Sequence, residues 1–222
     1  MTEFFNEYGA LLAQGTLDTV YMTVMATVFA YIIGLPLGII LFTTKKGGIA
    51  ENKPINAVLG AVINVLRSVP FIILLVALFP VTRFIVGTII GATSAIVPLV
   101  FAAAPFVARM VETSCEEIDT GVIEAARCMG ATNWQIICKV LIVESIPAII
   151  RGLSITTITL VGYSAMAGAV GAGGLGDIGI RYGYHKFQPD VMYVTVILLV
   201  IIVCVIQGVF NLCAKKIDKR NK

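Results

Sequence analysis

The chain has 222 residues, of which 58% are hydrophobic and only 13% charged, with a formal net charge of +3. Soluble domains carry roughly 25% charged residues, so this composition excludes an ordinary soluble globular protein and points to the membrane class. No charged tail suited to nucleic acid occurs, and the terminal run from Lys215 to Arg220 follows an apolar segment, where it suits lipid headgroups.

In chain order, residues 1–16 lack Lys and Arg. The positively charged start of a cleavable signal is therefore missing, and the apolar segment that follows is long enough to be a permanent span. Five stretches reach the roughly 20 apolar residues needed to cross a bilayer. They run about 19–43, 55–80, 84–109, 152–173 and 191–213. They are apolar all round rather than on one stripe, and they lack the alternation of a β-barrel. The expected architecture is a single all-α membrane domain with five transmembrane helices. A polar loop, 110–151, interrupts it.

Positive charge orients the spans. Lys45, Lys46, Lys53, Arg109, Arg127, Lys139, Arg151 and the terminal cluster place 12 of the 16 basic residues on one side. Only Arg83, Arg181 and Lys186 fall on the other. The expectation is an external N-terminus, an internal C-terminus and a cytoplasmic 110–151 loop. Arg67 remains, predicted inside the second span near Pro70, where an intramembrane charge faces the bundle interior or snorkels; a structural role and contact with substrate both fit it. The pairs Gly34/Gly38 and Gly87/Gly91 form G-x-x-x-G spacings, which let helices approach closely, most simply within one subunit.

The polar loop carries Glu124-Ala125-Ala126 and then Gly130. A helix with both alanines on its surface admits a close partner, and the glycine permits a left-handed end. Thr132 and Gln135 form a T-x-x-Q capping box that starts a second helix. Further on, Gly171-Ala172-Gly173-Gly174-Leu175-Gly176 matches G-x-G-x-x-G, but it follows a span rather than a strand, which argues against a dinucleotide site. Tight backbone packing and a gate at the outer end of a transport path both fit it. Candidate gate or pathway residues are Arg67, Ser164, Met166, Gly171, Gly173 and Gly174.

Other chemistry is scarce. No Gly-Lys dipeptide exists, so a phosphate-binding P-loop is excluded, and any ATP-driven work needs a second polypeptide. The five cysteines form no C-x-x-C, and His185 is the sole histidine, so no metal site is expected. The expected spans hold no Asp or Glu, which lowers the reading as a self-sufficient carrier or channel. A membrane enzyme would need a nucleophile–base pair that is not evident.

The Glu124–Gly130 pattern resembles the EAA loop of the inner-membrane permease subunits of ABC importers. Val143 stands where that family commonly has proline, and Pro147 follows. The segments Arg67–Leu75, Ala104–Glu112, Leu160–Met166 and Gly171–Gly176 look like the methionine-type permeases in particular, over nearly the whole chain. The resemblance implies a type I ABC importer permease fold, with Glu124, Ala125, Ala126 and Gly130 coupling it to an ATPase. It implies a homodimer of five-span subunits in the bacterial inner membrane and two cytoplasmic ATPase subunits that hold ATP and Mg. An extracytoplasmic binding protein would deliver methionine. Related permeases carry other amino acids or small solutes.

Overall fold

The computed structural model describes residues 2–217, all in helices and their connections. The side chains of the terminal basic run lie outside what is described. The first helix, α1 (Thr2–Thr44), is 43 residues long, roughly 65 Å at about 1.5 Å per residue. It begins well before the expected 19–43 span, because hydrogen bonding continues the helix through polar residues that hydropathy passes over.

The expected second span, 55–80, is not one straight helix. It is broken into α2 (Lys53–Ser68), α3 (Phe71–Ala77) and α4 (Phe79–Val86), with α2 and α3 bent by 103°. The cause is local: Val69, preceding Pro70, is driven to an extended conformation (φ −81, ψ 126). The Pro70 carbonyl then accepts from the amides of Ile73 and Leu74 and restarts the helix. The third span likewise moves from 84–109 to α5 (Ala92–Glu116). Gly87 and Gly91 flank the turn before α5 with φ of 85° and 98°, so their spacing is not a helical packing motif.

The rest of the chain is α6 (Thr120–Cys128), α7 (Asn133–Ile136), a π-helical turn at Ile137–Leu141 and α8 (Ile142–Gly168). After α8 come α9 (Gly174–Ile178), a second π-helical turn at Gly179–Tyr184 and α10 (Pro189–Ile217). Thus the 110–151 loop contracts to 117–141, and the expected spans 152–173 and 191–213 become the cores of α8 and α10. Among the described residues, three helices have the length and apolarity to cross a membrane: Asn6–Thr44, Ala92–Glu116 and Pro189–Ala214. The bent α2–α3 pair makes a fourth. The fourth expected span, 152–173, lies largely in α8, which is 27 residues long. Its hydropathy is diluted by Ser154, Thr156, Thr157 and Ser164, all buried against other helices.

The core lies where α1 crosses α5 and α8. A Cβ at Gly34 would sit 2.7 Å from the Ala104 carbonyl oxygen, and one at Gly38 2.5 Å from that of Ala108. The G-x-x-x-G of α1 therefore packs within one subunit. Thr19, Thr23 and Thr27 line the buried side of α1, each donating its hydroxyl to the carbonyl four residues earlier. That keeps these polar groups satisfied in an apolar bundle. Arg109 pins α2 to α5 by donating to Asn64 Oδ1 at 3.0 Å, while pairing with Glu112 at 2.6 Å. Phe71 stacks on Tyr163 at 4.5 Å between ring centroids, joining α3 to α8.

Candidate functional site

The Asp119 carboxylate accepts from the Gly121 amide at 2.8 Å and starts α6. Ile123 and Ala126 turn into the core, while Glu124 and Ala125 face outward. Both alanines were expected on the surface. Ala126 is instead only 5% exposed, because successive helical positions differ by about 100° and one face must bury. Gly130 ends the helix at φ +80. The Ala131 amide donates to the Ala126 carbonyl and the Gly130 amide to that of Arg127, the two bonds of a Schellman ending.

The next helix, α7, begins at Asn133 with Thr132 as its N-cap. Gln135 donates its amide to Thr132 Oγ1, and its side chain accepts from the Thr132 amide at 2.9 Å, completing the capping box. This second helix is not separate. It runs through α7 and the π-helical turn directly into α8, with Ile136 and Leu141 fully buried. The hairpin is therefore the end of a long rod that reaches the far side of the bundle.

Three apolar side chains stand out at the hairpin: Met129 at 81% exposure, Trp134 at 73% and Val122 at 42%. The sequence reading missed them. The available signal was the chain's only tryptophan, two residues inside a polar loop after an N-cap. Glu124, on the same hairpin, is also exposed. Behind α6 is a cavity of about 170 Å³, bordered by Lys45, Gly48, Glu116, Glu124 and Arg127. Lys45 pairs with Glu116 at 2.8 Å, and Arg127 donates to the Gly48 carbonyl at 3.5 Å. The hairpin so leans on the α1–α2 turn as well as on α8.

The second candidate region lies at the opposite end of α8. Gly171, at φ +92, closes α8 with the same two bonds seen at Gly130, from Gly171 to Gly168 and from Ala172 to Ala167. Gly173 and Gly174 also take positive φ, each 77°. Here, however, the glycines meet other backbone. A Cβ on Gly176 would collide with the Ala165 carbonyl, and one on Gly168 with the Asp177 amide. The Leu175 amide donates to Thr19 Oγ1 at 2.9 Å, and the Gly91 amide to the Gly171 carbonyl at 2.9 Å. The run is thus a packing joint among α1, α5, α8 and α9.

The remaining candidates are not brought together. Ser164 is 1% exposed and donates to the Val161 carbonyl of its own helix. Met166 is 47% exposed on the other side. Arg67, expected deep in a span, is exposed in the last turn of α2. It sits there because the break at Pro70 ends the helix, and a cation complements that end.

Residues 34–222 match the family model of the binding-protein-dependent transport system inner membrane component. The chain is 50% identical over 220 residues to the probable D-methionine transport system permease protein MetI of Vibrio cholerae, covering 99% of this chain and 98% of that one. It is 47% identical to the methionine import system permease protein MetP of Bacillus subtilis, covering 99% and 96%. Among solved structures, one of the MetNI methionine ABC transporter in inward facing conformations superposes with a TM-score of 0.95 at 49% identity, covering 96% and 99%. An amino acid ABC transporter crystallised with histidines shares the fold at a TM-score of 0.79 and 20% identity, covering 96% of each chain.

Proposed function

This chain belongs to the family of binding-protein-dependent transport system inner membrane components, and from that premise we propose that it is the permease subunit of an ATP-driven importer that carries methionine into the cell. Near-complete coverage of the MetI and MetP relatives supports the substrate class. The observation that carries the reading is the hairpin of α6 and α7. It is stiffened by a Schellman ending and a capping box, is continuous with α8, and presents Glu124, Met129 and Trp134 to solvent.

An exposed aromatic and a methionine on the same hairpin as an exposed carboxylate form the kind of anchor that a partner pocket accepts. The partner is a cytoplasmic ATPase holding ATP and Mg, one for each of two permease copies. Force applied to α6 passes through the capped turn to α8, and by way of Arg127 to the α1–α2 turn. Alternating access then follows from movement of these rods relative to α1 and α5. In this reading the hairpin is cytoplasmic, the C-terminus is inside and the N-terminus outside. An extracytoplasmic binding protein delivers the substrate, and lipid surrounds the apolar helices.

Reconstitution tests it. Vesicles containing this chain, its ATPase and the binding protein should take up labelled methionine only when ATP is present on the ATPase side. Uptake by this chain alone, without ATP, would make it a self-sufficient carrier or channel. Competition by unlabelled amino acids reads the substrate: methionine should compete best, and a different winner reassigns it. For orientation, Lys186→Cys should react with an impermeant thiol reagent from outside the cell and Lys46→Cys should not.

A further inference from the structure

The π-helical turn after α9 and the start of α10 form a loop to which the transport reading gives no role. Tyr184 is 67% exposed, Phe187 85% and, in the first turn or so of α10, Tyr193 68%. Among the described residues, Phe187 is the one non-glycine with a positive φ, at 54°, a conformation that bulky side chains rarely adopt. Bonds on either side fix it. The Phe187 amide donates to the Tyr184 carbonyl at 3.4 Å and the Gln188 amide to the Tyr182 carbonyl at 3.2 Å. The Gln188 side chain donates to Tyr8 Oη at 2.9 Å, and Tyr8 meets the Tyr182 ring edge-on. Gln188 and Tyr182 are thereby tied to α1, while the Phe187 ring is left outside.

The length of α10 says what surrounds that ring. No charged residue lies between Asp190 and Lys215, and over that interval the helix rises roughly 37 Å. A hydrocarbon core is about 30 Å thick, and roughly 40–45 Å with its headgroup regions. Both charged ends therefore reach the headgroup zones. Between them Tyr193, Ile197, Val200 and Ile201 are exposed along one side, and only 6% of the most apolar window of α10 is buried within the subunit. Exposed apolar side chains on a spanning helix meet lipid.

Tyr193 heads this lipid-facing stripe, and Phe187 lies three residues before Asp190, at headgroup level. Aromatic rings concentrate at that depth, where an apolar ring and polar surroundings are both accommodated. Lys186 stands among them, its Nζ 4.1 Å from the Tyr182 ring centroid. The loop is continuous with a helix already in lipid, so the same lipid extends to it.

We propose that Tyr184, Phe187 and Tyr193 form a membrane-interface anchor at the end of the molecule opposite the hairpin. Their rings lie among the headgroups and first acyl carbons of that leaflet, with the Lys186 ammonium at the phosphates. The anchor sets the height of α10, whose Val191 packs with Leu175 and Ile178 of α9, so the membrane braces the glycine joint from the lipid side. The test is a photoreactive residue, Phe187→p-benzoylphenylalanine. The variant is assembled with its ATPase in vesicles of phosphatidylethanolamine and phosphatidylglycerol, with and without the binding protein, irradiated, and its adducts are weighed. A phospholipid adduct should dominate, be about tenfold more abundant than from the same probe at Val122 on the hairpin, and keep its yield when the binding protein is added. Fragmentation should place the new bond in the glycerol region or the first acyl carbons, and deeper along the chain when the probe replaces Tyr193. A main adduct to the binding protein or to a second copy of this chain overturns the proposal and assigns the loop to that contact. Absence of a lipid adduct, or a bond near the acyl terminus, overturns it as well.

Discussion

Two helix endings in this molecule are built alike and behave differently. At Gly130 and at Gly171 a left-handed glycine closes a helix with the same pair of backbone bonds. Beyond Gly130 the chain enters a helix capped by its own side chains, and apart from its immediate chain neighbours nothing lies within 4 Å of where a Cβ on Gly130 would be. Beyond Gly171 the chain folds onto its neighbours so closely that Gly168 and Gly176 leave no room for a methyl group. One turn is stiffened locally and left open for a partner. The other is stiffened by its surroundings, and its glycines are buried or only partly exposed. A glycine-rich turn thus acquires its role from what packs on it, not from its backbone shape.

That contrast can be broken most severely at the packed end. Gly176→Val drives two methyl groups against the Ala165 backbone and should cost about 3 kcal/mol or more, seen as lost assembly or a large fall in melting temperature in detergent. A variant that melts normally would show that α9 can part from α8 without penalty. At the open end, Gly130→Val should cost only about 1–2 kcal/mol, the expense of a left-handed conformation without a clash. A loss as large as that of Gly176→Val would mean that the two ends are equally packed.

Smaller again is Thr132→Ala, which removes half of the capping box and should cost about 1 kcal/mol, together with faster amide exchange at Gln135. Unchanged exchange would place the turn's stiffness elsewhere. Least disturbing to the fold is Glu124→Lys, within about 0.5 kcal/mol for an exposed residue. It should nonetheless uncouple ATP hydrolysis from transport in the reconstituted complex. Normal uptake by this variant would remove Glu124 from the docking surface and leave Met129 and Trp134 to carry it.

The capping box at Thr132 and Gln135 and the left-handed end at Gly130 were legible because their partners lie within a few residues in the chain. The inward turn of Ala126 was not, since which side of α6 is buried depends on Ile136 and the remote core. Arg67 is a different case, because what moved it is local. Hydropathy placed it inside a span, and only the break at Val69–Pro70 put it at a helix end. Gly87 and Gly91 share the spacing of Gly34 and Gly38, yet only the latter pair meets a neighbouring helix.

By itself, the amino-acid sequence determined the membrane class, the helical character of the apolar segments and the chemistry of the hairpin turn. Each follows from composition or from interactions between residues near one another in the chain. Tertiary structure alone decided which side of α6 is buried and that the glycine run is a packed joint. These depend on which surfaces meet across the bundle, and contacts between distant segments leave no periodic trace in a single sequence.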